Sequence, residues 1–355
     1  MEVQIVTEAW VRPSTPTPPH LQTFSISLID QLVPNSQHVP AVFYYDHDEA
    51  RHPSVAQKLQ LLKTSLSEIL PRFYPLAGRI KTDLVIDCTD EGVRYREARV
   101  NRDLKQFMDG SYDLSQIMHF HPLKHIFARE GTHVANVQVT EFQCGGLAIG
   151  VCICHMIADG VGFSVFMKAW AAAARGCMTG DDVILPNFNS VSVFPAHDTW
   201  VSEMSNPTFE GRARNGNYVT RKFTFDSAAI TELRELATGA GWSRRATRVE
   251  AISALLWKCI MDVISEPESD PMMITSWCKF GLYEADFGWG KPRWIGYCTL
   301  ELPMYINLVV LLDARDGEGI EAWVTMDVGV MDMMSANSEF AKFARPTQTE
   351  FGQYK

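Results

Sequence analysis

The stretch that most restricts how this chain can fold covers residues 147–175. Leu147-Ala148-Ile149-Gly150-Val151-Cys152-Ile153-Cys154 reads as an apolar strand that ends abruptly at His155. The turn Met156-Ile157-Ala158-Asp159-Gly160 follows, and then a helical pattern over residues 161–175. Strand, tight turn and helix in that succession tie the stretch to an α/β layer. A histidine at the C-terminal edge of such a strand can face a cleft while the scaffold beneath stays rigid. Its ordinary pKa of about 6.5 suits it to take a proton near neutral pH. The spacing His155-x-x-x-Asp159 is weak alone, since a chain with 10 histidines shows one by chance about half the time. Here it is the single such pair, and it stands at a strand–turn–helix junction. The competing reading is a core histidine satisfied by backbone groups.

Around this stretch the N-terminal half alternates strands and helices without repeats. Strands are expected over residues 2–11, 39–45, 84–88, 93–98, 133–142 and 147–154. The spacing of Leu59, Leu61, Leu62, Leu66, Ile69 and Leu70 predicts an amphipathic helix over 54–70 that stops before Pro71. From 176 to 217 the periodicity fades, with Pro186, Pro195 and Pro207, as a crossover between two halves would read. Beyond it come a strand over 219–225 and a helix over 227–236. Thr247 and Glu250 have capping-box spacing ahead of a helix reaching about Ile264. Segments 307–312 and 320–325 flank a turn-rich stretch and predict a hairpin. This mixed order points to two mixed-sheet α/β layers rather than a doubly wound parallel sheet. The expected domains are residues 1–175, a crossover over 176–217, and a C-terminal domain over 218–355. No G-x-G-x-x-G or phosphate-loop pattern occurs.

With 355 residues, 46% of them hydrophobic, the chain has material for one large or two ordinary cores. A net charge of -10 sets it apart from general binders of nucleic acid or anionic membranes. No apolar run approaches the roughly 20 residues of a membrane span, and no basic, apolar leader opens the sequence, so a cytoplasmic protein is expected. The 8 cysteines are scattered, and Cys152 and Cys154 would share one strand face as small buried hydrophobes. His119, His121 and His125 lie close together without a fourth ligand or cysteine spacing, and no metal is expected. A cysteine nucleophile using Cys144, Cys154 or Cys278 lacks a supporting motif.

Three blocks stand in order: Phe73-Tyr74-Pro75-Leu76-Ala77-Gly78-Arg79, His155-Met156-Ile157-Ala158-Asp159-Gly160, and Asp286-Phe287-Gly288-Trp289-Gly290-Lys291-Pro292. Together with Leu282-Tyr283-Glu284-Ala285, Gly317-Glu318-Gly319-Ile320-Glu321-Ala322-Trp323 and the opening Ser14-Thr15-Pro16-Thr17-Pro18, they resemble the plant BAHD acyltransferase family. The form of the blocks is most similar to its vinorine-synthase-like branch, which acetylates alkaloids and terpenoids. The resemblance implies two chloramphenicol-acetyltransferase-like domains, and a monomer whose partners are acyl-CoA, with acetyl-CoA as donor, and a small-molecule alcohol acceptor. The chain also departs from the family. Between the helix near Ile264 and Thr275-Ser276-Trp277-Cys278, members carry several tens of further residues, including an N-x-R-x-R element whose arginine is thought to hold the motif aspartate. Here only residues 265–274 bridge that gap, so the second domain is expected to be shortened and the activity is in question.

Acyl transfer from a thioester to an alcohol needs a base for the hydroxyl, a stabilised oxyanion and a protonated leaving thiolate. The resemblance makes His155 the general base, acting in a ternary complex. Asp159 reads either as a relay that orients the imidazole or as a brace for the turn, and the family favours the brace. Losing its arginine would leave a buried Asp159 unpaired. Gly160 and Gly162 fit close approach of substrate or an ordinary turn. Asp286, Gly288 and Gly290 are implied to form a structural loop. Trp277 and Thr275 are candidate oxyanion donors, against plain strand packing. Arg244, Arg245, Thr247 and Arg248 open a helix and could meet the coenzyme's phosphates, against a solvated loop. Two other readings stay open. One is a catalytically impaired homologue that binds ligands or a partner. The other is a condensation-type domain, which commonly carries a second histidine where Cys154 stands.

Overall fold

A computed structural model describes residues 1–32, 38–109, 114–123, 131–178, 183–197, 218–238, 244–264, 272–297 and 307–351. The chain divides into two compact units, one of residues 1–110, 116–208 and 280–301, the other of 111–115, 209–279 and 302–355. Its strands are β1 (Val3–Val11), β2 (Thr23–Ser25), β3 (His38–Tyr45), β4 (Arg79–Thr82), β5 (Val85–Asp87), β6 (Val93–Val100), β7 (Ala135–Phe142), β8 (Leu147–Cys154), β9 (Tyr218–Phe225), β10 (Met273–Ser276), β11 (Trp294–Gly296), β12 (Leu308–Asp313), β13 (Ile320–Asp327) and β14 (Arg345–Phe351).

The first unit is built on a six-stranded sheet of order β1-β6-β7-β8-β3-β11, with a small sheet β2-β5-β4 beside it. β6 and β7 run parallel and the other pairs of the large sheet are antiparallel, so the sheet is mixed as expected. β3 and β8 are buried at every position, which is why both read as apolar runs instead of alternating. Helices α1 (Val55–Ile69), α2 (Leu104–Asp109) and α3 (Gly160–Ala174) belong to this unit. Ser54 and Gln57 close a capping box at the start of α1. Trp170 of α3 donates its indole N–H to Leu62 O and Ser65 Oγ of α1, at 3.2 and 3.1 Å. Phe163 of α3 stacks on Phe43 of β3, which fastens the helix to the sheet. Gly150 lies so close to Phe120 that a Cβ there would fall 2.0 Å from the Phe120 carbonyl oxygen, so no side chain fits.

The second unit holds a five-stranded sheet of order β10-β12-β13-β9-β14, again mixed, with β10 parallel to β12. Helices α4 (Ser227–Thr238), α5 (Arg248–Met261), α6 (Val328–Ala336) and α7 (Ser338–Phe343) share a core with Phe223, Phe225, Val309 and Val324 of the sheet. Thr247 and Glu250 form the capping box that their spacing predicts. β12 and β13 form the expected hairpin.

One assignment differs from the sequence reading. Residues 280–297, expected in the C-terminal domain, pack with the first unit. β11 pairs with β3, and the Tyr45 hydroxyl donates to Ala285 O at 2.8 Å. Phe287 lies against Trp170, Tyr45 and Trp289. A strand of three residues and an aromatic cluster are long-range contacts that carry no periodicity of their own.

Candidate active site

His155 is the first residue after β8, a strand held between β7 and β3. The turn behind it closes on the strand end, where Ile157 N and Ala158 N both donate to Cys154 O. Asp159 is the N-cap of α3, and its side chain accepts from Gly162 N at 2.7 Å. The histidine is thereby fixed between a buried strand and a capped helix, and its ring is half-buried.

The Nδ1 atom of His155 is buried and bonds to no other described residue. Burial lowers the pKa below 6.5, opposed by the residue's own backbone and by the carboxylates of Asp159 and Asp30. The imidazole is therefore mostly neutral at pH 7 and able to accept a proton.

Asp159 departs from one expectation. It is exposed, and its carboxylate is engaged by the helix N-terminus, so Asp159 is not left as an unpaired buried charge. The loop of Asp286, Gly288 and Gly290 lies in the same unit as His155. Its carboxylate accepts from Gly288 N at 2.8 Å and Gly290 N at 2.9 Å, while Arg175 donates to the Asp286 carbonyl. Both glycines have φ near +100°, which side chains rarely adopt. That carboxylate organises a turn.

The other expected residues belong to the second unit. Thr275 is exposed on β10, and Trp277 is buried just beyond it, its backbone N–H on Leu311 O. Arg244 grips Glu250 through two hydrogen bonds of 2.8 and 2.5 Å, and this pairing draws the Glu250 pKa down to about 2. Arg248 donates to Gly317 O, Glu318 O and Asp313 Oδ1, tying α5 to the β12–β13 turn. Thr247 is the N-cap of α5. Arg245 is exposed, with no partner among the described residues.

Two residues escaped the sequence reading. Asp30 opens a short helical turn before β3 and acts electrostatically on His155; its one signal is the Ser27-x-x-Asp30 spacing, common at turns. Lys58 is fully buried on α1, with Nζ 3.0 Å from His47 Nδ1 and 5.3 Å from the Trp289 ring. Desolvation lowers its pKa from 10.5 to about 8. The folded protein thus releases this proton near pH 8, while the unfolded chain holds it up to 10.5. Stability from this group rises with pH across that window, by up to about 3 kcal/mol. Denaturant titrations of the protein and Lys58→Met, in which other groups cancel, should show the difference moving in favour of the lysine form between pH 8 and 10.5. An unchanged difference would mean that Lys58 keeps its ordinary pKa. A cavity of about 550 Å³ also opens along Val165, Ala169 and Ala172 of α3, flanked by Lys168, Arg175 and Glu284.

Comparison with known proteins places these features in context. A family model described as the Transferase family matches residues 1–272 and 261–341. A limonoid 7-O-acetyltransferase of Citrus sinensis is 31% identical over 462 residues, with 97% of this chain and 98% of that protein covered. Vinorine synthase of Rauvolfia serpentina is 29% identical, with 96% and 99% covered. The crystal structure of vinorine synthase matches with a TM-score of 0.82 at 28% identity, over 98% of this chain and 100% of that one. The alignment with the Citrus protein spans 462 positions, 107 more than the 355 residues present here. The two family matches meet at residues 261–272, between α5 and β10, where the sequence reading puts the missing segment.

Proposed function

Because this chain belongs to the Transferase family, as a vinorine-synthase-like member of the plant BAHD acyltransferases, we propose that it moves an acetyl group from acetyl-CoA to a hydroxyl of an alkaloid or terpenoid alcohol. His155 is the general base. Its buried Nδ1 makes no hydrogen bond to another described residue, and Nε2 is the proposed acceptor of the proton from the acceptor hydroxyl. The oxygen attacks the thioester carbon, and the tetrahedral oxyanion collapses with loss of the coenzyme thiolate. That thiolate takes the proton back from His155. No bond to the protein forms, so donor and acceptor are bound together. The indole N–H of Trp277 and the hydroxyl of Thr275 are the proposed oxyanion donors. Among Arg244, Arg245, Thr247 and Arg248, the exposed Arg245 is the cation best able to meet the coenzyme's phosphates. The protein is proposed to work as a cytoplasmic monomer without a metal. The observation that carries this reading is a half-buried, uncommitted histidine at the end of a wholly buried strand.

Mixing the protein with acetyl-CoA and a panel of alkaloid and terpenoid alcohols tests it. Ester and free coenzyme should form together, and only with acceptor present. A second reading, an impaired homologue that binds without turnover, is favoured by an alignment that is 107 positions longer than this chain. It gains support if no acceptor yields ester above the uncatalysed rate.

Asp159 is proposed as a brace and not a proton relay. Asn caps a helix as well as Asp, so Asp159→Asn should keep kcat/KM within about threefold, whereas Asp159→Ala should cost about 1 kcal/mol of stability. A hundredfold loss in a well-folded Asp159→Asn protein would restore the relay.

A further inference from the structure

We propose that the cavity along α3 is a binding site, separate from His155, for a small amphipathic monocarboxylate, an elongated apolar body that carries one carboxylate group. The inference stands apart from the acyltransferase reading, because no residue of the 155–159 turn lines the cavity.

Shape is the first ground for it. Val165, Lys168, Ala169, Ala172 and Arg175 recur at helical spacing, so one face of α3 and its C-cap makes a wall about 15 Å long. Alanine at 169 and 172 leaves room along that wall that larger side chains would occupy. Val183 and Ile184 add a second apolar surface, and Ile184 is 65% exposed. Every lining residue belongs to the first unit. The volume of about 550 Å³ falls within the range of small-molecule sites. Apolar walls left in water are stabilised when an apolar body covers them.

Charge is the second ground. Lys168 Nζ donates to Phe280 O at 3.1 Å, and Arg175 donates to Asp286 O. Both acceptors are neutral carbonyls, and neither cation pairs with a carboxylate among the described residues. Glu284 is the one acid that lines the cavity, and Lys291 already meets it at 2.7 Å. The two α3 cations are thus the uncompensated charges, and each keeps N–H groups to spare. A carboxylate accepting from them would make charge-assisted bonds, the stronger kind of polar contact.

The backbone decides against a phosphate. Phosphates favour the N–H groups of a helix N-terminus, whereas this cavity follows α3 to its C-terminal end, where the dipole is negative. That end and Glu284 would both repel a dianion. A single negative charge on an apolar body fits two cations above apolar walls.

The test titrates the full chain calorimetrically with 4-cyclohexylbenzoate and with its neutral amide, 4-cyclohexylbenzamide. Neither carries a hydroxyl that could be acetylated. The acid should bind at least about 10-fold more tightly than the amide. Lys168→Met and Ile184→Glu should each weaken the acid by about 10-fold or more. Position 184 is exposed, so the second variant leaves the fold intact even if the first does not. Bound acid should also slow iodoacetamide alkylation of Cys177, an exposed thiol that lines the cavity. Cys144, exposed and outside the lining, should react at an unchanged rate. Equal affinity for acid and amide, or undiminished binding to Ile184→Glu, would overturn the proposal. So would Cys177 reacting as fast with the acid bound, or no binding of the acid up to about 1 mM.

Discussion

Replacing His155 with alanine is expected to lower kcat/KM for acceptor acetylation by about 10²–10⁴-fold, the range in which a positioned general base contributes. The fold should survive. His155 lies just outside β8 and makes no side-chain hydrogen bond to another described residue, so its removal breaks no structural contact of that kind. Unfolding midpoints of the two proteins should then agree closely, which separates a chemical role from a structural one. A variant that kept its rate would return the histidine to the part of a packing residue at a strand end.

The second large effect concerns stability. Phe287→Ala is expected to destabilise the first unit by about 3–5 kcal/mol, as aromatic truncations in packed cores do. Phe287 is fully buried, with its ring centroid 5.0 Å from Trp170, 5.7 Å from Trp289 and 5.8 Å from Tyr45. These partners join α3, β3 and the loop of Asp286, three pieces distant in sequence. Denaturant unfolding followed by tryptophan fluorescence would read the loss, since Trp170 and Trp289 report on that cluster. A change below about 1 kcal/mol would mean that residues 280–297 are not anchored in this unit through Phe287.

The strand-to-helix passage through His155 was legible because a buried strand, a histidine and a helix cap are all local signals. β8 and α3 fall within a residue of the expected bounds. Thr247 and Glu250 announced the start of α5 by spacing alone. Short edge strands such as β2, β10 and β11, of three or four residues, offer no period to detect. Arg248 could not be assigned from its neighbours, because its hydrogen bonds reach Gly317 and Glu318, 69 and 70 residues away. Lys58 was hidden for a related reason. A lysine on an amphipathic helix reads as a solvent-facing position until the Trp289 ring arrives over it from the far end of the chain. Asp159 was read as a residue needing an arginine. The structure gives it a backbone N–H instead and leaves it in contact with solvent.

The most direct test of His155 as the base is the pH dependence of kcat/KM for the acceptor. Only the neutral imidazole can accept the hydroxyl proton, and burial moves its pKa below 6.5. The rate should therefore be flat above about pH 7 and fall through a single acid limb with a midpoint under 6.5, and that limb should vanish from the residual activity of His155→Ala. A midpoint above 6.5, or the same acid limb in His155→Ala, would contradict the assignment of His155 as the general base.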